Sequence, residues 1–205
     1  MEKILKVGII GAGVQGQLHI ECFKSLYNAE VVSVSDISEE KLKIVREKYG
    51  IESVYTDYKR MLKEEKIDAV SIVLPDHLHR EPAISAIEEG KHILIEKPLA
   101  TTVKDAEEIV RRAEEKGIKL MVNFSNRWMV YMAETKKAIE NGELGEPVYA
   151  YARLSNTLYV PTKMLSWASK TSLPFWLMSH TIDTVSYTHL RAHETRHDLV
   201  CRLLL

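Results

Sequence analysis

Three glycines, one aspartate, one lysine and a distant histidine carry most of the chemistry legible in this chain. Gly11-Ala12-Gly13-Val14-Gln15-Gly16 is a G-x-G-x-x-G, and Asp36 follows the last glycine by 20 residues. Alone the glycine pattern is weak. Behind a strand, at the head of a helix and with an acid closing the next strand, it is the arrangement that holds a dinucleotide. Gly11 permits the tight turn, Gly13 lets the backbone approach a pyrophosphate, and Gly16 lets the helix pack closely on the strand. Free N–H groups at the helix start, at Val14 and Gln15, are then available to the phosphates. Asp36 can accept hydrogen bonds from both adenosine ribose hydroxyls. A carboxylate there repels a 2′-phosphate and no arginine follows at once, which favours NAD over NADP. The plainer alternative is a turn and a helix start that hold no ligand.

Lys97 stands just past the apolar run His92-Ile93-Leu94-Ile95, at the strand edge where open α/β sheets bind ligands. A partly desolvated ammonium there has a lowered pKa and can act as acid or base on a hydroxyl that becomes a carbonyl during hydride transfer. The alternative is a surface lysine paired with Glu96; the location favours chemistry, with Glu96 orienting Lys97 rather than reacting. His77 and His79 follow another strand at the same edge, and either border a cofactor or sit at a helix start satisfied by backbone groups. His193-Glu194-Thr195-Arg196-His197 matches H-E-x-x-H, a zinc-binding pattern, but has no third ligand nearby, so no metal is expected.

The elements that must position these groups alternate. Lys6 to Ile10 reads as a strand, followed by a helix with Val14, Leu18, Cys22 and Leu26 at helical spacing, then a strand from Val31 to Asp36. Ser38 caps a helix whose apolar face includes Leu42 and Val45, with Gly50 stopping it. Ala69 to Leu74, His92 to Ile95 and Lys119 to Val122 supply further strands, with helices near Glu81 to Glu89 and after Thr102, whose partner Asp105 gives the form of a capping box. Such alternation implies a doubly wound parallel α/β sheet, a Rossmann domain over residues 1–125. Residues 126–185, with a helix from about Met132 to Glu140 and a strand from Val148 to Leu154, read as the start of an incomplete α+β domain.

Together with Leu74-Pro75-Asp76-His77-Leu78-His79, the run Gly90-Lys91-His92-Ile93-Leu94-Ile95-Glu96-Lys97-Pro98-Leu99-Ala100 resembles the Gfo/Idh/MocA oxidoreductases, including their Glu-Lys-Pro signature, and the likeness extends from about residue 4 to 185. The resemblance implies an NAD(P)-dependent enzyme moving a hydride between nicotinamide and a sugar or polyol hydroxyl. It places Lys97 by nicotinamide and substrate, and Pro75, His79, Glu96 and Asn123 about the cofactor. Arg127 falls near nicotinamide or substrate, although a satisfied loop network explains Asn123 and Arg127 as well. His180 and Asp183 match the family's H-x-x-D segment, where the histidine faces substrate. Many polyol dehydrogenases of the family carry aspartate four residues before that histidine; this chain has Trp176. A Lys-Asp-His relay therefore lacks its middle member, and an NAD-binding sensor without turnover is the competing reading.

At 205 residues, with 45% hydrophobic and 28% charged residues and a net charge of −1, the chain carries no bias toward nucleic acid or membrane. Only Cys22 and Cys201 occur, and the N-terminus lacks the pattern of a signal peptide, which suits a cytoplasmic protein with Cys22 packed in its first helix. Residues 186–205 hold three of the eight histidines and resemble a translated adapter sequence. The expectation is that the natural chain continues differently past about Val185, that the piece as given is inactive, and that its full-length relatives are homo-oligomers.

Overall fold

The computed structural model describes residues 3–146, 151, 154–172 and 174–189. β1 (Leu5–Ile10) leads through the glycine turn into α1 (Val14–Lys24), β2 (Ala29–Ser35) into α2 (Glu39–Tyr49), and β3 (Val54–Tyr55) into α3 (Tyr58–Glu64). β4 (Ala69–Ile72) leads through a 3₁₀ turn into α4 (Arg80–Glu88), β5 (His92–Glu96) into α5 (Val103–Glu115), and β6 (Leu120–Asn123) through another 3₁₀ turn into α6 (Val130–Glu140). The strands are all parallel, in the order β3-β2-β1-β4-β5-β6. The chain therefore moves outward from β1 in one direction, returns, and moves outward from β4 in the other. The crevice at that reversal is where doubly wound sheets bind ligands.

Local chemistry ends the helices where expected. Ser38 accepts from the Lys41 N–H and Thr102 from the Asp105 N–H, while Gly50 closes α2 with a left-handed φ of 67°. β3 and α3 are too short for their periodicity to stand out in the sequence. The sheet is buried on both faces, as parallel sheets are. Val7, Ile9, Ile20, Val34, Leu42 and Val45 form one core beneath α1 and α2, and Ile10, Met61, Ile72, Ile87, Ile95 and Ile109 form the other beneath α3, α4 and α5.

The buried face of α1 is not the one its apolar spacing suggests. Val14 is 74% exposed, Leu18 49%, and Cys22 is exposed rather than packed; Gly16, His19 and Ile20 face the sheet instead. The cause is Gly16, where an added Cβ would stand 1.9 Å from the Gly11 carbonyl oxygen. That contact pins the face of the helix bearing position 16, and positions 19 and 20 follow it inward at helical spacing.

Beyond residue 125, α6 packs against α7 (Ser179–His189), which runs across Val185. Short helical turns at Val160–Met164, Ala168–Lys170 and Pro174–Met178 precede α7. Most of the expected strand from Val148 to Leu154, the H-E-x-x-H segment and Cys201 lie outside the described residues. Among the described residues, no helix is long and apolar enough to cross a membrane.

The two inner glycines are expected to separate in a urea titration. Gly16→Ala drives a methyl into backbone and is expected to cost about 1–3 kcal/mol or more. Gly13→Ser enters open space at a helix N-cap and is expected to leave stability within about 0.5 kcal/mol.

Candidate functional site

The groups singled out by motif converge on the carboxyl edge of the sheet. Gly11 follows β1, Asp36 follows β2, Pro75 lies past the end of β4, Glu96 and Lys97 end and follow β5, and Asn123 ends β6. Gly11 turns the chain with φ of 105°, and a side chain there would collide with the Val73 carbonyl. Gly13, at the N-cap of α1, has nothing within 4 Å of a notional Cβ, and no side chain caps the helix start. The exposed first turn, with Val14 and Gln15, carries no acidic residue. This is a cradle of free N–H groups beside open space, which fits a pyrophosphate.

Asp36 supports the cradle from the next strand. Its Oδ2 accepts from the Ala12 N–H at 2.8 Å and its Oδ1 from the Ser38 N–H at 2.9 Å, so the carboxylate braces the glycine turn. Lys41 Nζ stands 3.4 Å from the same Oδ2. This cation lies five residues past the aspartate, on α2, beyond the residues that directly follow Asp36 in sequence.

The opposite side of the crevice belongs to Lys97. Its bond to Pro98 is cis, and its half-buried ammonium donates to the Trp176 carbonyl. Burial pushes the Lys97 pKa below the usual lysine range, against the opposing charges of Glu96 and Asp76. His180 is half-buried nearby, with an Nδ1 that lacks a hydrogen-bond partner. Burial, and then the Lys97 charge, push its pKa down to about 4. Trp176 therefore enters the site through its backbone: in place of the carboxylate that the family resemblance implies beside lysine and histidine, a carbonyl meets the lysine.

The remaining predicted residues act through neighbours. His79 is 1% exposed, with Nδ1 2.7 Å from the Pro98 carbonyl and Nε2 2.9 Å from the Leu74 carbonyl. Burial pushes its pKa down. The neutral ring has one N–H and donates to one of these carbonyls at a time, lying between the Lys97–Pro98 segment and the end of β4. Arg127 and Asp183 meet each other: Arg127 Nε lies 2.9 and 3.1 Å from the two carboxylate oxygens, Nη2 makes a third contact, and Asp183 is fully buried. With the guanidinium over Phe124 and Tyr187, the pair joins the β6 end to α7. His77 faces Trp167, and Asp76 accepts from the His77 N–H and the Thr171 hydroxyl.

A buried polar cluster escaped the sequence reading. His19 touches Ser71 of β4 and Glu96 of β5, and Asn123 of β6 donates to Glu96. Burial pushes the Glu96 pKa up, but the His19 and Asn123 hydrogen bonds and the His19 and Lys97 charges outweigh it and hold the carboxylate below its usual range. The signal was present: His19 lies three residues past Gly16, on the face that glycine turns inward.

Comparison with known proteins agrees with this geometry. The model of the Gfo/Idh/MocA oxidoreductase family, with its NAD-binding Rossmann fold, matches residues 5–124. The chain is 34% identical over 158 residues to the D-glucoside 3-dehydrogenase of Escherichia coli, covering 77% of this chain and 45% of that protein. It is 29% identical over 143 residues to the myo-inositol 2-dehydrogenase of Thermotoga maritima, covering 70% and 43%. A solved myo-inositol 2-dehydrogenase from Lactobacillus plantarum shares the fold at a TM-score of 0.85 and 24% identity, over 91% of this chain and 57% of that one. The chain spans about half the length of the curated relatives it matches. With more than half its residues matched by the family model, and the glycine cradle, Asp36 and Glu96-Lys97-Pro98 on one sheet edge, this chain belongs to the Gfo/Idh/MocA family of oxidoreductases.

Proposed function

We propose that this chain is the dinucleotide-binding part of an NAD-dependent dehydrogenase acting on a hydroxyl of a sugar or cyclic polyol, with Lys97 as the acid–base group. The observation that carries the reading is a half-buried lysine with a lowered pKa on the same strand edge as an uncapped, glycine-opened helix start. The substrate class follows from the names of the relatives, a glucoside and an inositol dehydrogenase. Residues 126–185 are read as the opening of the substrate domain, joined to the Rossmann part through the Lys97–Trp176 and Asp76–Thr171 hydrogen bonds.

Bound NAD supplies the hydride acceptor. The N–H groups at Gly13, Val14 and Gln15 hold its pyrophosphate, and Asp36 holds the ribose hydroxyls. The Asp36 carboxylate disfavours a 2′-phosphate, and Lys41 lessens that repulsion without reversing it, so NAD is preferred to NADP. Lys97 in its neutral form takes the proton of the substrate hydroxyl as the carbonyl forms, and returns it in the reverse direction. His180, neutral above about pH 5, offers its unpartnered Nδ1 to the same hydroxyl.

Trp176 favours a second reading, an NAD-binding protein without turnover: its carbonyl accepts from the Lys97 ammonium but cannot take its proton. Absorbance at 340 nm with NAD and a panel of inositols, glucosides and hexoses, measured on a chain that carries the whole substrate domain, separates the two. The dehydrogenase reading predicts NADH formation with at least one of them, reduced about 100-fold or more by Lys97→Met. No reduction with any of them, by protein that binds NAD, supports the sensor.

The sign of the pH dependence is also set. Because burial lowers the Lys97 pKa, the oxidation rate is expected to rise with pH along one limb whose midpoint lies below 10.5, with no second limb from His180 above about pH 5. A rate that falls with rising pH across this range contradicts the assignment of Lys97 as base.

A further inference from the structure

An imidazole beneath a sheet is costly to bury unless its nitrogens are bonded. His19 of α1 is 8% exposed, with Nδ1 2.8 Å from Ser71 Oγ and Nε2 3.1 Å from Glu96 Oε1. An ionised Glu96 only accepts, so Nε2 carries a hydrogen, and in the neutral ring Nδ1 accepts from the Ser71 hydroxyl. Asn123 donates its amide to the same Glu96 oxygen at 2.7 Å. The carboxylate next to Lys97 is thus held by donors from α1 and β6, while Lys97 reaches the other way, to the Trp176 carbonyl.

We infer that His19 is a positioning residue: it holds the Glu96 carboxylate off the Lys97 ammonium and ties α1, the helix whose start forms the glycine cradle, to the strand end that carries the lysine. Ser71 can serve as donor or acceptor by rotating its hydroxyl, so it keeps the ring oriented in either protonation state. Without His19, the carboxylate loses one of its two donors and can turn toward the ammonium beside it. A closer ion pair stabilises the charged lysine and raises its pKa. The other groups around Lys97 are unchanged by that loss: Asp76 on the turn after β4, His180 on α7 and the Trp176 carbonyl. The catalytic meaning of the shift rests on the proposed role of Lys97; the shift itself does not.

Competitive acetylation of the full chain with acetic anhydride, from about pH 6 to 11 and read by mass spectrometry on the peptide containing Lys97, titrates this amine whether or not a substrate is turned over. His19→Leu is expected to move the Lys97 midpoint up by about one unit. His19→Gln, whose amide can still donate to Glu96, is expected to stay within about 0.3 unit of the unmodified chain. Circular dichroism establishes that each variant is folded. Should His19→Leu fail to fold, Asn123→Leu, which removes the other donor to Glu96, carries the same test with the same direction. A folded variant lacking either donor with an unmoved Lys97 midpoint overturns the inference, as does a shift in His19→Gln equal to that in His19→Leu. The predicted shifts uphold His19 as a positioning residue whether or not the chain reduces NAD with any polyol, so this inference and the dehydrogenase reading fail separately.

Discussion

The absence of one methyl group at Gly16 governs much of the geometry. With 1.9 Å between a notional Cβ and the Gly11 carbonyl, only hydrogen fits, and α1 lies against the turn that feeds it. That contact selects which face of α1 meets the sheet and sends His19 and Ile20 inward. It also leaves the helix start, uncapped and without an acidic side chain, open at the sheet's carboxyl edge. Ridge-and-groove packing of ordinary side chains would hold α1 farther from the strand.

A second layer is electrostatic. The crevice places charges where burial and neighbours pull in opposite directions: burial lowers Lys97 and His180, while bonded donors keep Glu96 ionised although burial raises it. A lysine with a lowered pKa beside a carboxylate held elsewhere is an arrangement suited to proton exchange. Asp36 braces the Ala12 and Ser38 amides, and the proposed function adds the ribose hydroxyls to its partners.

Much of this is legible in the sequence, because glycine spacing, helix caps and apolar strands act locally. Gly11, Gly13, Gly16, Asp36 and Lys97 lie at turns, strand ends and the start of α1 on one sheet edge, and Ser38 and Thr102 begin their helices, and Gly50 ends α2, as capping chemistry dictates. What was not legible depends on contacts across the chain. The apolar spacing of Val14, Leu18 and Cys22 pointed to the wrong face of α1, because close backbone packing at Gly16 outweighs their hydrophobicity. The bonds of His19 to Ser71 and Glu96 span 52 and 77 residues, and the Arg127–Asp183 pair spans 56, distances over which no periodicity carries information.

The central claim is that the cradle and Asp36 form a working NAD site, and calorimetric titration of the chain with NAD and with NADP tests it most directly. The account predicts saturable NAD binding, several-fold tighter than NADP and weakened about tenfold or more by Asp36→Ala, which removes charged hydrogen bonds. Tighter binding of NADP, or no binding of either by a chain shown to be folded, would contradict it.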